Sequence, residues 1–196
     1  NLMLDEVTDE NHRKYLMKMR DSANYLKDLV NKVLNVSALQ AGAKLSLKKT
    51  NIKKLVDNVL NEYEERFGFK NLNIVKNYRA SPVISVDELR LRSVIENLID
   101  NSVRHSDKGT IRVTVKQDLF NAIIIIEDEG EGMSKSKLDK LLRGMYVVKS
   151  HPEKMYSGIG IGILLAKLIV DAHKGKLNIE SKKGEGTKIT ITLPKH

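Results

Sequence analysis

Two asparagines, Asn97 and Asn101, lie four residues apart in a segment whose apolar residues recur every three or four positions. On a helix with that apolar face, the two carboxamides share a different face, which Arg104 or His105 continues. Two amide oxygens one turn apart suit Mg²⁺, a hard ion that keeps most of its waters and bridges to phosphates, and Arg104 adds positive charge for phosphate oxygens. Asparagine is a mediocre helix former, so two in mid-helix favour this function over two ordinary solvent-facing positions.

A second motif begins at Asp128, which ends the apolar strand predicted from residues 122–126. A carboxylate at the end of a buried strand must find hydrogen-bond donors, and the amino group of adenine is a suitable one. Gly130 and Gly132 follow and would let the backbone approach such a ring closely. The alternative is an acidic β-turn, because the same residues are ordinary turn formers. This motif alone leaves both interpretations open.

The third motif, Gly158, Gly160 and Gly162, leads directly into the apolar segment 163–166. Glycines at a helix start offer bare backbone N–H groups and the positive end of the helix dipole to phosphates. A polar segment precedes them rather than a strand, so this is not the dinucleotide-binding fingerprint. A glycine hinge in a mobile loop is the alternative, and both can hold together. With a glycine turn at residues 184–187, the four motifs in this order predict a nucleotide pocket.

The elements that must position these motifs follow from the apolar pattern, which changes after Gly42. It predicts five strands, near residues 45–47, 72–78, 82–86, 110–116 and 122–126. It predicts three helices, one that begins at residue 52, one from Asp87 to about His105, and one from about 161 to 173. A hairpin is predicted over 176–193. Residues 130–157 show little core-forming pattern beyond Leu138, Leu141 and Leu142. Together these elements predict a two-layer α/β sandwich, a mixed sheet with helices packed on one face.

A long helix is predicted before this domain, from about residue 10 to 41. Its apolar seam follows heptad spacing through Leu16, Met19, Ala23, Leu26, Val30, Val33 and Ser37. So narrow a seam favours partner helices, and the alternative is an amphipathic helix lying on the domain. We therefore expect two units, a helical segment over residues 1–42 and an α/β domain over residues 43–196.

Composition narrows the possible classes of protein. The 196 residues are 41% hydrophobic and 30% charged, which fits a packed core, and no apolar run reaches the ~18 residues that cross a bilayer. There is no cysteine, so disulfides and thiolate metal sites are excluded and a cytoplasmic location is expected. The net charge of +9 comes from scattered lysines, and the chain has three Phe and no Trp on which bases could stack. This argues against nucleic-acid binding. It favours a basic surface, part of whose charge offsets the negative charge of a polyphosphate ligand.

Taken together, the four motifs resemble the catalytic ATP-binding domain of sensor histidine kinases, within the ATPase superfamily shared with gyrase, heat-shock chaperones and mismatch-repair proteins. Residues 97–106 are similar to the asparagine box of that family. The resemblance implies the Bergerat-type ATP-binding fold, with ATP and Mg²⁺ as ligands. It implies that Asn101 holds the metal with Asn97 beside it, and that Asp128 binds the adenine amino group.

The resemblance also implies a fuller nucleotide site and a set of partners. The remaining nucleotide-binding positions it implies are Arg104, His105, Gly130, Gly132, Met133, Tyr146, Lys149, Gly158, Gly160, Gly162, Ile163, Leu164 and Thr187. Residues 133–157 would form a mobile lid over ATP. The first predicted helix would be the second helix of the dimerisation and phosphotransfer hairpin. The implied partners are ATP and ADP, a response-regulator protein that receives the phosphate on an aspartate, and a second copy joined through the hairpin.

Two departures from the family pattern qualify these expectations. None of the five histidines is followed by an acidic residue and then a basic residue and proline, as the family's phosphoacceptor is. We therefore expect a fragment of a longer kinase, which binds nucleotide without phosphorylating itself. Both a membrane-anchored and an unanchored full-length kinase fit this expectation. Gly144 and Met145 replace the lid's usual Pro-Phe pair, which leaves open a degenerate module that senses ATP without transferring phosphate. His151 and His173 are expected at the surface or in the lid.

Overall fold

A five-stranded mixed sheet forms the centre of the fold, and helices pack on one of its faces. The computed structural model describes residues 15–20, 23, 30, 44–68, 71–150 and 161–195. The elements from residue 48 onward are β1 (Lys48–Asn51), α1 (Ile52–Gly68), β2 (Leu72–Tyr78), β3 (Val83–Val86), α2 (Glu88–Arg104), β4 (Gly109–Gln117), β5 (Asn121–Asp128), α3 (Lys135–Ser150), α4 (Ile161–Ala172), β6 (Lys176–Lys182) and β7 (Gly186–Pro194).

The strand order of the large sheet is β2-β4-β5-β7-β6, and a small antiparallel sheet joins β1 to β3. Only the β2–β4 pair of the large sheet is parallel among the described strands. Along β5 every second residue is buried, at Ala122, Ile124 and Ile126, so one face of the sheet packs against the helices and the other does not. This is the predicted two-layer sandwich.

Helix α2 is the central helix of that layer, packing against both α1 and α4. It begins where the sequence predicts, because the side chain of Asp87 caps it by accepting from the backbone N–H of Arg90 at 3.2 Å. Leu91, Ile95 and Leu98 are fully buried along one stripe. Each such side chain contributes about 1.5–3 kcal/mol by leaving water, so this stripe holds the helix against the sheet.

Two predictions about local structure need correction. The predicted strand at residues 45–47 is wrong: strand β1 begins at Lys48, because the pairing with β3 starts at Lys48 opposite Val86 and leaves Leu47 55% exposed. Helix α3 also lies in a region for which no helix was predicted. Leu138, Leu141 and Leu142 are its inward-facing residues, of which Leu141 is buried, and three leucines were too few to indicate a helix.

The predicted first helix lies mostly outside the described residues. Residues 15–20, 23 and 30 are helical, in agreement with the prediction. In the part of the chain that the structure describes, no helix combines the length and the apolar character needed to cross a membrane.

His173 joins the end of α4 to the start of α2. Its side chain is buried, with 7% of the residue exposed, so the expectation of a surface or lid position was wrong. The backbone N–H of Asp87 donates to His173 Nε2 at 2.9 Å, which leaves the proton on Nδ1, and Nδ1 lies 2.8 Å from the carbonyl of Ile169. Both ring nitrogens are therefore used, and the ring fixes the relative position of the two helices.

We expect His173→Ala to lower the free energy of unfolding by about 2–4 kcal/mol, because it opens a cavity and leaves the buried N–H of Asp87 without its acceptor. Urea titration followed by circular dichroism measures the change. The control is His105→Ala, which removes a half-exposed histidine whose ion pair with Glu131 contributes less than about 1 kcal/mol. Equal losses in the two variants would show that the buried contact does not hold the helices together.

Candidate functional site

The asparagine motif and the third glycine motif meet where α2 passes the start of α4. A Cβ atom placed on Gly162 would lie 3.3 Å from Asn97 Oδ1, so the backbone of α4 lies directly against this carboxamide. Asn97 is 6% exposed, and its Nδ2 group has no hydrogen-bond partner among the described residues. The alternative of a solvent-facing Asn97 is therefore wrong. A buried amide of this kind indicates a bound water or a ligand.

The amide oxygens of Asn97 and Asn101 fit the binding of a hard cation that is also bound to phosphate oxygens. Asn101, half-buried, lies one turn further along α2 than Asn97, about 5–6 Å away, so the two amide oxygens can serve one hydrated ion. Among the described residues there is no group of three or more His, Asp or Glu side chains that could hold a metal, so a Mg²⁺ ion here would depend on amide oxygens, waters and phosphates. The N-terminal end of α4, beside Asn97, favours negative charge.

Asp128 is held by three donors from different parts of the chain. The hydroxyl of Ser102 in α2 donates to Asp128 Oδ2 at 2.9 Å. The backbone N–H groups of Gly130 and Thr187 both donate to Oδ1, each at 3.1 Å. The carboxylate therefore lies between helix α2, its own loop and strand β7. An acidic β-turn, the alternative interpretation, would not require a contact with the helix.

Burial raises the pKa of the Asp128 carboxyl above its ordinary value of 3.8, while Ser102, Gly130, Thr187 and the nearby His105 oppose the rise. The folded chain thus holds this proton more tightly than the unfolded chain does. The contribution of Asp128 to stability is greatest below the ordinary pKa and declines as the pH rises through the raised value. Above the raised pKa the ionised carboxylate is therefore unfavourable for folding, which is typical of residues retained for function.

The loop after Asp128 is fixed between α2 and the β6–β7 hairpin, and two glycines make this possible. A Cβ on Gly130 would lie 2.3 Å from the carbonyl oxygen of His105, and one on Gly132, whose φ is +59°, would lie 2.0 Å from that of Lys182. Between them, the N–H of Glu131 donates to the carbonyl of His105 at 3.0 Å. Glycine is thus required at both positions because the backbone of another segment lies close, whereas the sequence predicted a close approach to a purine ring.

The β6–β7 hairpin contacts the loop after Asp128 through Ser181, a residue that the sequence did not indicate. Its hydroxyl oxygen accepts from the N–H of Met133 at 2.9 Å and donates to the carbonyl of Gly186 at 2.9 Å. It also lies 2.9 Å from Thr187 Oγ1. Thr187 is therefore fixed beside Asp128. The sequence did not indicate this serine because polar residues in an alternating strand usually face outward.

The other predicted site residues divide into three groups. Arg104 and His105 are exposed at the end of α2, with His105 Nδ1 2.7 Å from Glu131 Oε1. The side chains of Met133, Ile163 and Leu164 pack with the core, and that of Leu164 is fully buried, so only its backbone remains for a ligand. The structure does not describe Gly158, Gly160 or the side chains of Tyr146 and Lys149.

A cleft of about 430 Å³ adjoins these residues, and Asp128, Ser181, Gly186 and Thr187 form part of its lining. The lining also includes Arg112, Glu127, Glu180 and Lys188, which alternate along their strands with the buried residues and so project from the face of the sheet without helices. Lys188 Nζ and Glu127 Oε1 form an ion pair at 3.4 Å, so part of the charge in the cleft is neutralised internally. The cleft therefore reaches from that face to the loop and the hairpin around Asp128.

Comparison with protein families identifies the half of the chain that carries the motifs. Residues 86–196 match the model of histidine kinase-, DNA gyrase B- and HSP90-like ATPases. The circadian input-output histidine kinase CikA of Synechococcus elongatus is 28% identical over 190 residues, which are 94% of this chain and 25% of CikA. The sensor protein SrrB of Staphylococcus aureus is 30% identical over 185 residues, which are 93% of this chain and 32% of SrrB. The chain thus spans a quarter to a third of these relatives.

Solved structures confirm the fold. The Acinetobacter baumannii histidine kinase AdeS has a TM-score of 0.77 and 23% identity, covering 99% of this chain and 90% of that chain. Full-length ShkA, solved in complex with AMPPNP, has a TM-score of 0.76 and 24% identity, covering 97% of this chain and 40% of its own.

Two glycines of one hairpin give a matched test of the contact between β7 and Asp128. Gly186 has φ +95° and Gly184 φ +81°, but a Cβ on Gly186 would lie 1.8 Å from the carbonyl oxygen of Asp128, whereas one on Gly184 meets open space. We expect Gly184→Ala to lower the free energy of unfolding by about 1–2 kcal/mol through backbone strain alone. Gly186→Ala should lower it by more than about 3 kcal/mol, because β7 must move away from Asp128.

Urea unfolding gives both values, and hydrogen exchange at the Thr187 amide reports the local separation. Loss of Thr187 protection only in Gly186→Ala would support the assigned contact. Similar protection and similar stability in both variants would contradict it.

Proposed function

This chain belongs to the histidine kinase-, DNA gyrase B- and HSP90-like ATPase family, and on that premise we propose that it binds ATP with Mg²⁺ as the catalytic core of a sensor histidine kinase. The observation that carries the proposal is the half-buried carboxylate of Asp128, which three donors hold. Residues 43–196 would form the ATP-binding domain and residues 1–42 part of the dimerisation and phosphotransfer hairpin.

Asp128 has the bonding capacity that adenine recognition requires. An ionised carboxylate offers about four acceptor positions, and three are taken by Ser102, Gly130 and Thr187. One position remains for a donor outside the chain, and the amino group of adenine is such a donor. Gly130 and Gly132 would form the adjacent wall, and Thr187 would border the ring. A carboxylate whose ionised form is opposed by burial gains from an additional donor.

The phosphate end of ATP would lie toward the start of α4. Asn101, with Asn97 beside it, would hold Mg²⁺, which when bound neutralises charge on the phosphate oxygens. The N-terminal backbone of α4 around Gly162 would face the phosphates, and Arg104 would add positive charge from the end of α2. The short distance between Asn97 and Gly162 supports this arrangement, because it joins the amide motif to the glycine motif.

The proposed reaction transfers the γ-phosphoryl group of ATP to a ring nitrogen of a histidine on a helix. A nitrogen–phosphorus bond forms, the bond from the γ-phosphorus to the bridging oxygen breaks, and ADP leaves. Such a transfer is favoured mainly by positioning and charge neutralisation, which these residues would supply. None of the five histidines has the family's acceptor context, so the acceptor is proposed to belong to another segment. A response regulator would then take the phosphate, and the active unit would be a dimer.

We expect Asp128→Asn to weaken ATP binding roughly ten- to a hundred-fold, because an amide replaces one acceptor oxygen with a donor group facing the adenine amino group. Isothermal titration calorimetry with ATP and Mg²⁺ measures the affinity. Asp118→Asn is the matched control, since Asp118 lies in the turn before β5, about 20 Å or more from Asp128, and its side chain accepts hydrogen bonds from Phe120 and Asn121 of its own turn. Its affinity should equal that of the wild type. Unchanged affinity in Asp128→Asn would refute the adenine assignment.

Phosphotransfer is tested by fusing to the chain an upstream helix that carries a histidine in the family's acceptor context. With ATP labelled on the γ-phosphate, we expect acid-labile label on the fusion. No label is expected when that histidine is replaced by glutamine, and at least a tenfold slower rate is expected in Asn101→Ala. ATP binding without any label would overturn the kinase assignment and favour an ATP-sensing module.

A further inference from the structure

We propose that Ser102 is a positioning residue for purine recognition, whose hydroxyl fixes the Asp128 carboxylate in the orientation that accepts an amino group of a purine. The inference rests on the ATP site proposed above and adds a determinant of its selectivity. Ser102 lies next to Asn101 in α2, so one turn of this helix would serve both the metal and the base.

The contact between Ser102 and Asp128 joins two elements that are distant in sequence. Ser102 is 3% exposed, and its Oγ atom lies 2.9 Å from Asp128 Oδ2, across a separation of 26 residues. A carboxylate only accepts hydrogen bonds, so the serine proton must point to Asp128. The lone pairs of the serine oxygen remain as acceptors beside the carboxylate.

The other two donors hold one of the two carboxylate oxygens. The N–H groups of Gly130 and Thr187 both bind Oδ1, which leaves Oδ2 without a backbone donor. Rotation about the last bond of an aspartate side chain has a broad, shallow profile, so two hydrogen bonds of 3.1 Å limit this rotation without fixing it. Ser102 holds the second oxygen and narrows the rotation further before a nucleotide binds, which favours selective recognition.

This arrangement distinguishes purines by the group at position six. The Asp128 carboxylate and the serine oxygen both present acceptors, which match the amino group of adenine. Hypoxanthine carries a carbonyl oxygen there, so acceptor would face acceptor, and a buried group would be left without a donor. Loss of Ser102 would therefore weaken the binding of an amino-bearing purine more than that of its carbonyl analogue.

Ser102 also helps to keep the carboxylate ionised. Burial raises the pKa of Asp128, and the hydroxyl of Ser102 is the largest of the contacts that oppose this rise, followed by the backbone of Gly130 and Thr187 and the charge of His105. Glu127 and Lys188, at the same strand ends, pair with each other on the opposite face of the sheet. Without Ser102, Asp128 would take up its proton at a higher pH.

The test compares ATP with inosine triphosphate, which carries a carbonyl oxygen in place of the amino group, on the wild type and on Ser102→Ala. Affinities are measured by calorimetry with Mg²⁺. We expect ATP binding to weaken about five- to thirtyfold and inosine triphosphate binding to change less than about twofold. The ratio of the two affinities should therefore fall about as much as the ATP affinity does.

The pH profile gives a second readout that a purely structural role would not move. ATP affinity in the wild type should fall as the pH drops through the raised pKa of Asp128, because a protonated carboxyl loses an acceptor. In Ser102→Ala the midpoint of that fall should shift to higher pH. Titration of the nucleotide itself is the same for both proteins and cancels in the comparison.

Thr50→Val is the matched control. Thr50 is also buried, and its hydroxyl donates to Glu88 Oε2 at 3.2 Å, in the first turn of α2. That contact lies about 21 Å along the helix from Ser102, so the variant removes the same kind of bond far from the purine site. Its stability should fall similarly, while the ratio of ATP to inosine triphosphate affinity and the pH midpoint stay at the wild-type values.

The outcomes separate this inference from the proposed function. A wild type that binds ATP, with an unchanged affinity ratio and pH midpoint in Ser102→Ala, would overturn the role of Ser102 and leave ATP binding intact. A wild type that binds no ATP would overturn the proposed function itself. If Ser102→Ala does not fold, Ser102→Cys takes its place. Its S–H group is a weak donor, so the ratio of ATP affinity to inosine triphosphate affinity should fall by an intermediate amount.

Discussion

The carboxylate of Asp128 accepts hydrogen bonds from three parts of the chain that only the folded state brings together, at Ser102, Gly130 and Thr187. Much of the surrounding backbone is shaped by this crowding. Gly186 is needed because any side chain there would collide with the carbonyl of Asp128. Burial opposes the ionised form, so the core must supply the free energy that this group does not. The packing of α2 on the sheet therefore supplies the free energy that keeps the site folded.

Helix α2 carries this arrangement along its length. Its first turn is fixed by Asp87, whose carboxylate caps the helix and whose backbone N–H donates to His173 of the neighbouring α4 segment. Its middle places Asn97 against Gly162, and its last turn places Ser102 against Asp128. Because the helix is held at its start, the positions of the amide and the hydroxyl further along it are set by helical geometry. One rigid element thus sets the spacing between the proposed metal and purine positions.

The parts that sequence predicted correctly are those whose signals are local. Helix α2 follows from the cap at Asp87 and the apolar spacing after it, and β5 follows from its isoleucines. The contact of His173 with Asp87 spans 86 residues and leaves no trace in either neighbourhood, so the histidine was expected at the surface. Among the site residues, the asparagines and glycines are conspicuous by type, whereas Ser102 and Ser181 become meaningful only through their partners.

Asp128, with its three donors, and Gly162, packed on Asn97, are two fixed points of the domain, and α3 lies between them in the sequence. Closing a longer loop between fixed ends costs little, about 0.6 kcal/mol for each doubling of its length. Insertions and deletions in this stretch would then be nearly neutral for the domain that holds it. Evolution can therefore diversify the length of chain between these two points while the sheet and its half-buried acid stay as they are.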